Sequence, residues 1–187
     1  MSTSALLVMD VQPGIVDRYS RDSGYLARLR RTIDAARAAE IRIIYVTVRF
    51  RPGYPEVSPR NKSFAALAQT PGFSESDPAT AIHPDIAPAP SDILVTKRRV
   101  SAFSGSDLDV VLRAANIDTL VLTGIATSGV VLSTLRQAAD LDYRLVVLAD
   151  ACLDGDAEVH RVLTEKVFPR QAEVLTVSGW VERLGPR

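Results

Sequence analysis

Apolar positions along this chain follow two periods in turn. Leu120–Thr123 is a short apolar run rich in β-branched residues and closed by Gly124. Such a run predicts a strand buried on both faces, as in a parallel sheet. Beyond the turn Ile125–Gly129, Val130, Val131, Thr134, Leu135, Ala138 and Leu141 recur at helical spacing. The same succession predicts strands at Ala5–Met9, Ile41–Val48, Ile93–Thr96, Arg144–Leu148 and Ala172–Leu175. Helices are predicted at Tyr25–Ala39, Ser106–Ala115, Asp156–Val167 and Val177–Leu184, with Ser106 as a cap and Asp107 in the first turn. Alternating strands and helices imply an α/β fold. It is a doubly wound, Rossmann-like three-layer sandwich around a mainly parallel sheet of about six strands.

The pattern lapses over residues 49–90, which hold eight of the chain's eleven prolines and room for one short helix at Ser63–Gln69. An irregular stretch of that length is usually functional, so a lid over the site is expected. At 187 residues the chain fits one domain spanning 1–187 and can bury a sizeable core.

Composition narrows the function classes. Acidic and basic residues balance at 22 each, which argues against a nucleic-acid partner or a disordered tail. A single cysteine gives no disulfide framework and no cysteine-based metal cluster. No apolar run approaches the roughly 20 residues of a membrane span. The opening MSTSALLVMD has no basic leading region, so a cytoplasmic location without a membrane partner is expected.

Chemistry gathers at one edge. Asp10, Lys97 and the turn Gly124–Val130 each follow a predicted parallel strand. Parallel strands bring their C-terminal ends together, so all three should line one crevice. A carboxylate and an ammonium there shift each other's pKa and can move protons. The alternative is a buried ion pair that only holds two strand ends.

Four segments carry a resemblance: LLVMDVQPGIV, VTKRRVSAF, LVLTGIATSGVVLSTLRQAADLDY and VVLADACLD, in that order over nearly the whole chain. Together they resemble the isochorismatase-like, or cysteine hydrolase, superfamily. That resemblance implies the doubly wound sheet and an Asp–Lys–Cys triad. Asp10 would be the general acid/base, and Lys97 would steady it. The backbone N–H groups of Ala126 and Val130 would form an oxyanion hole, with a cis peptide at Ile125–Ala126.

The departure lies at the nucleophile. Where the family pattern reads G-x-A-T-x-x-C-V, this chain reads Gly124-Ile125-Ala126-Thr127-Ser128-Gly129-Val130-Val131. Valine offers no nucleophilic atom, so covalent catalysis at Val130 is impossible. Cys152 is expected to be a packed, inert thiol. Ser128 and Thr127 lack an evident base, since His83 and His160 sit in distant segments; Thr127 is expected to hydrogen-bond the turn. True isochorismatases need no thiol, which suits Asp10 and Lys97. The branched Val130 argues against isochorismate itself.

Gln12, Phe103 and Thr127 are candidates for substrate binding, with Phe103 either walling the pocket or packing in the core. Arg49, Arg51, Arg60, Lys62, Arg98 and Arg99 against one acid, Glu56, suggest a basic rim for a small carboxylate, or a solvated face. The nicotinamidase branch binds metal through an Asp-x-His pair; here that place reads VRFRPGYP, so no metal and no cofactor are expected. A homodimer or higher homo-oligomer is expected by resemblance, with Trp180, Val181 and Leu184 facing a partner or the core. Three functions stay open. They are a thiol-independent Asp/Lys hydrolase, a catalytically inactive binding or scaffold member, and an amidase using Cys152 or Ser128.

Overall fold

The computed structural model describes residues 3–19 and 22–185. Six strands form one sheet: β1 (Ser4–Met9), β2 (Arg42–Val48), β3 (Ile93–Lys97), β4 (Thr119–Ile125), β5 (Arg144–Leu153) and β6 (Glu173–Leu175). Their order is β3-β2-β1-β4-β5-β6, and every pairing is parallel. The sheet is therefore wholly rather than mainly parallel.

Alternation along β1 explains the layers. Leu6 and Val8 face one side, and Ala5, Leu7 and Met9 the other, because successive strand residues point oppositely. The first side packs on α1 (Pro13–Tyr19), α2 (Tyr25–Ala38) and α7 (Val177–Leu184) through residues such as Ile15, Leu29, Ile33 and Trp180. The second packs on α4 (Leu108–Ala114) and α5 (Leu132–Asp140) through Leu108, Leu112, Leu135 and Ala138. Trp180 is thus a core residue, with Val181 and Leu184 partly buried against the same cluster.

Several elements differ from the periodicity. Helix α1 was not predicted, because Ile15 and Val16 are its only buried residues and adjacent positions show no period. Strand β5 continues past Leu148 to Leu153, across a register irregularity that pairs Leu122 with Val147 but Gly124 with Cys152. Helix α4 begins at Leu108. Asp107 holds its cap position without a side-chain bond, while the Ser106 hydroxyl donates to Ala102 O (2.6 Å) and accepts from Leu108 N (3.3 Å). The helix predicted over 156–167 is α-helical only at α6 (Ala157–Val162); a wider turn follows at Leu163–Val167, then a tight one carrying Pro169.

The long segment between β2 and β3 is built of capped turns. Asn61 caps α3 (Lys62–Leu67), and Asp77 and His83 cap two single 3-10 turns at Pro78–Thr80 and Pro84–Ile86. Among the described residues no helix is long and apolar enough to cross a membrane.

The chain runs outward from β1 to β3, then returns to lay β4 on the other side of β1. Such a reversal opens a crevice above the C-terminal ends of the two central strands. Gly124 makes the close packing there possible. Its φ is +139°, and a Cβ would stand 2.2 Å from Met9 O. Gly124→Ala should therefore cost roughly 3 kcal/mol or more of stability, through a backbone clash and a strained φ together. Urea unfolding of the variant beside wild type checks this; a loss within 0.5 kcal/mol, the usual scale of surface substitutions, would contradict the packing.

Candidate active site

Asp10 is the first residue beyond β1. Its φ of +57° is left-handed, a region that aspartate enters more readily than most residues. Its N–H still donates to Val46 O (2.8 Å), so the chain breaks from the sheet at the carboxylate itself. Lys97 ends β3, two strands away, and reaches past β2 to place Nζ 2.7 Å from Asp10 Oδ2. The ammonium also donates to Arg99 O (3.0 Å) and Val100 O (3.1 Å). Its three hydrogens thus meet three acceptors, and the cation is fixed.

Asp10 is 5% exposed and Lys97 2%. Burial raises the Asp10 pKa above its ordinary value, more than the Lys97 charge, the Lys97 hydrogen bond and the nearby Val48 N–H lower it. Asp10 Oδ1 is buried and makes no hydrogen bond among the described residues. A bare oxygen in a low-dielectric site favours the protonated carboxyl, because a charge there is poorly solvated.

These residues line a cavity of about 260 Å³. At roughly 30 Å³ per water it holds about nine waters, the scale of a small metabolite. Its walls include Ile15, Val48, Phe64 and Phe73, and its rim the turn residues Ala126, Gly129 and Val130. The turn follows β4 directly; the Ile125–Ala126 peptide is cis, and Ala126 O accepts from Gly129 N (3.1 Å) and Val131 N (3.2 Å). Val130 is 2% exposed and presents only methyl groups to this space. The long segment supplies Phe64 and Phe73, as a covering element would.

Asp10, Lys97, Ala126 and Val130 therefore come together. The other predicted contacts do not. Gln12 is consumed by structure: Nε2 donates to Val48 O (3.2 Å) and Thr80 O (2.7 Å), and Oε1 accepts from Val48 N (2.9 Å). It fastens the long segment to the strand ends. Phe103 lies in the core beside Tyr143, ring centroids 6.1 Å apart, and does not line the cavity. The aromatic walls are Phe64 and Phe73 instead. Thr127 is fully buried; its hydroxyl lies 2.8 Å from His160 Nδ1. The two residues are close in space despite their separation of 33 positions. Asp154 Oδ2 accepts from Ser128 N (2.7 Å) at the same turn.

The predicted basic rim also resolves differently. Arg51 pairs with Glu56 (2.5 Å), Arg49 Nε donates to Thr80 O (3.0 Å), and Arg99 donates to Glu56 O (2.9 Å). Arg98 donates to Arg49 O and pairs with Glu56 and Glu75. These arginines knit the long segment together. Arg51, Arg98 and Arg99 line a separate, more open groove of about 950 Å³ along edge strand β3, which contains neither Asp10 nor Lys97. The arginine at the Asp10 cavity is Arg18, on α1, with its guanidinium 5.1 Å from the Phe73 ring centroid. Nothing in the apolar pattern points to it, because its placement depends on a helix with no periodic signal.

Cys152 is buried on β5, its thiol pushed up to about 12 by desolvation, with Sγ 3.9 Å from Leu122 O. It does not line the cavity. Among the described residues, no three His, Cys, Asp or Glu side chains are grouped to hold a metal ion.

The chain as a whole is similar to known proteins. Residues 4–178 match the model of the isochorismatase domain. The isochorismatase family protein YwoC of Bacillus subtilis (strain 168) is 33% identical over 181 residues, covering 97% of this chain and 94% of its own. The ureidoacrylate amidohydrolase RutB of Stutzerimonas stutzeri (strain A1501) is 34% identical over 209 residues, covering 96% of this chain and 79% of its own. A solved isochorismatase family protein from Burkholderia thailandensis superposes with a TM-score of 0.84 at 31% identity, over 98% of this chain and 96% of that one. A cysteine hydrolase from Pseudomonas syringae pv. phaseolicola 1448A shares the fold, with a TM-score of 0.87 at 24% identity over 97% of this chain and 92% of that one. From the strand ends that carry Asp10 and Lys97 to the turn at Val130, the chain belongs to the isochorismatase family.

Proposed function

We propose that the protein hydrolyses a small anionic molecule without a thiol, using Asp10 for proton transfer and water as the nucleophile. The observation that carries this is the Asp10 carboxyl. One oxygen is pinned by Lys97, the other is bare, and burial pushes the group toward holding a proton. A protonated Asp10 gives its proton to the leaving nitrogen or oxygen. The bond from that atom to carbon breaks, a water oxygen bonds to the carbon, and a water proton returns to Asp10. Lys97 has no spare N–H and acts by charge, limiting how far the carboxyl pKa rises. The N–H groups of Ala126 and Val130 would receive charge developing on a substrate oxygen.

Arg18 is the anchor for the substrate anion in this scheme, in place of the loop arginines. Relatives named ureidoacrylate amidohydrolases support carboxylates bearing a ureido group as the first substrates to try. Val130 favours a second function, a binding protein that keeps the cavity without turnover, because no side chain there can form an acyl intermediate. Cys152, buried and pushed up to about 12, gives no support to a substitute-thiol amidase.

A hydrolysis panel of small ureido, carbamoyl and enol-ether carboxylates separates these. Asp10→Asn should lower kcat/KM by roughly 10²- to 10⁴-fold. Arg18→Ala should mainly raise KM, about tenfold, from loss of one charge-assisted contact. Activity should fall as pH rises through the elevated Asp10 pKa, because the acid loses its proton. Undiminished turnover in Asp10→Asn would refute the mechanism. Binding by calorimetry with no turnover on any member of the panel would establish the second function.

Lys97→Met tests the electrostatics directly. A carboxyl whose folded pKa is raised binds its proton more tightly in the native state, so stability falls as pH rises from the unfolded value toward the folded one. Without Lys97 the folded pKa climbs further, and that window widens upward. Above the pH at which wild-type Asp10 ionises, the stability gap should grow by about 1.4 kcal/mol per pH unit. Urea unfolding across a pH series rising from about 4, near the ordinary aspartate value, measures it, and a pH-independent gap would contradict a coupled buried pair.

A further inference from the structure

The turn at Ala126–Val130 is held by groups that the hydrolytic scheme does not use and that do not line the cavity. Thr127 and Ser128 are successive residues, and each is tied to the segment after β5. The Thr127 hydroxyl meets His160 Nδ1 at 2.8 Å, and Ser128 N donates to Asp154 Oδ2 at 2.7 Å. Asp154 Oδ1 in turn accepts from Asp156 N (3.3 Å), and Asp156 caps α6 by accepting from Glu158 N and Val159 N. Immediately after this double tether, Gly129 leaves helical geometry at φ −97° and ψ −105°, and the next residue is Val130. The tether therefore stands next to the break that aims the Val130 N–H.

We propose that neutral His160, which does not line the cavity, is a positioning residue, accepting the Thr127 hydroxyl hydrogen at Nδ1 and thereby setting the geometry of the Ala126–Val130 turn. This deepens the hydrolytic scheme, since it concerns the same turn.

The direction of the hydrogen bond follows from burial. Thr127 is fully buried, and its hydroxyl makes no other hydrogen bond among the described residues. If Nδ1 carried a proton it would be the donor, and the hydroxyl hydrogen would be left without an acceptor. Neutral His160 with its hydrogen on Nε2 avoids this. Desolvation of the half-buried ring lowers its pKa, opposed by the Asp154 charge. The other charged groups nearby are engaged: Asp156 on backbone N–H groups, and Arg161 with Glu158 and Glu165. The turn itself, Thr127–Val131, brings no charge, and Arg18 shares a neighbouring cavity with Asp154. Acidification below the ordinary histidine value should thus protonate the ring and loosen the tether.

Nuclear magnetic resonance on the intact chain tests this without reference to turnover, and the chain has only two histidines to assign. His160 should be the Nε2–H tautomer, titrating below pH 6.5. His160→Ala should displace the Gly129 and Val130 amide signals and speed their hydrogen exchange at least tenfold. His160→Asn, whose amide oxygen can stand near the Nδ1 position, should restore them. Thr127→Val should reproduce the alanine effect even if His160→Ala proves unstable. Unmoved amide signals in both His160→Ala and Thr127→Val would overturn the inference. Absent turnover in wild type, with the amides responding as stated, would count against the hydrolytic scheme alone.

Discussion

A carboxyl and an ammonium removed from water at the ends of β1 and β3, with β2 between them, govern this structure. Desolvating a carboxylate and an ammonium costs several kcal/mol each, and their attraction repays it only in good geometry. The protein meets that demand for Lys97 completely, with three acceptors for three hydrogens. It meets it for Asp10 by half, leaving Oδ1 bare. Much of the surrounding architecture serves the pair. The left-handed turn at Asp10 lifts the carboxylate out of the sheet, and the carbonyls of Arg99 and Val100 hold the ammonium from the far side.

The same physics explains what could be read in the sequence. The central strands announce themselves because each is buried on both faces, so Leu6–Met9, Ile43–Val48 and Leu120–Thr123 are nearly unbroken apolar runs. Parallel strands then force Asp10, Lys97 and the turn after Gly124 onto one edge, whatever the loops do. What the apolar pattern does not reveal depends on contacts between distant positions with no local signature. His160 meets Thr127 across 33 residues, and Gln12 fixes the long segment through backbone carbonyls at Val48 and Thr80. Arg18 reaches the cavity on a short helix with only two buried residues.

Charge along the chain does not map onto the site, for a related reason. The loop arginines form a basic cluster in sequence, yet Arg49, Arg51, Arg98 and Arg99 each bond a carbonyl oxygen, Glu56 or Glu75. They stiffen the segment that carries Phe64 and Phe73 over the cavity. Phe103, at an equally suggestive place in sequence, turns into the core because its side of the sheet is already closed by α4 and α5. Charge and aromaticity thus act at the site only where the fold leaves them facing it.

The protonation state of Asp10 is the most direct test of this account. Difference infrared spectroscopy of wild type against Asp10→Asn, across a pH titration, isolates the carbonyl band of that one protonated carboxyl. The account predicts a band that persists above pH 3.8, the ordinary value for aspartate. A band already lost by that pH would show a permanently ionised carboxylate, and would contradict Asp10 as the proton donor.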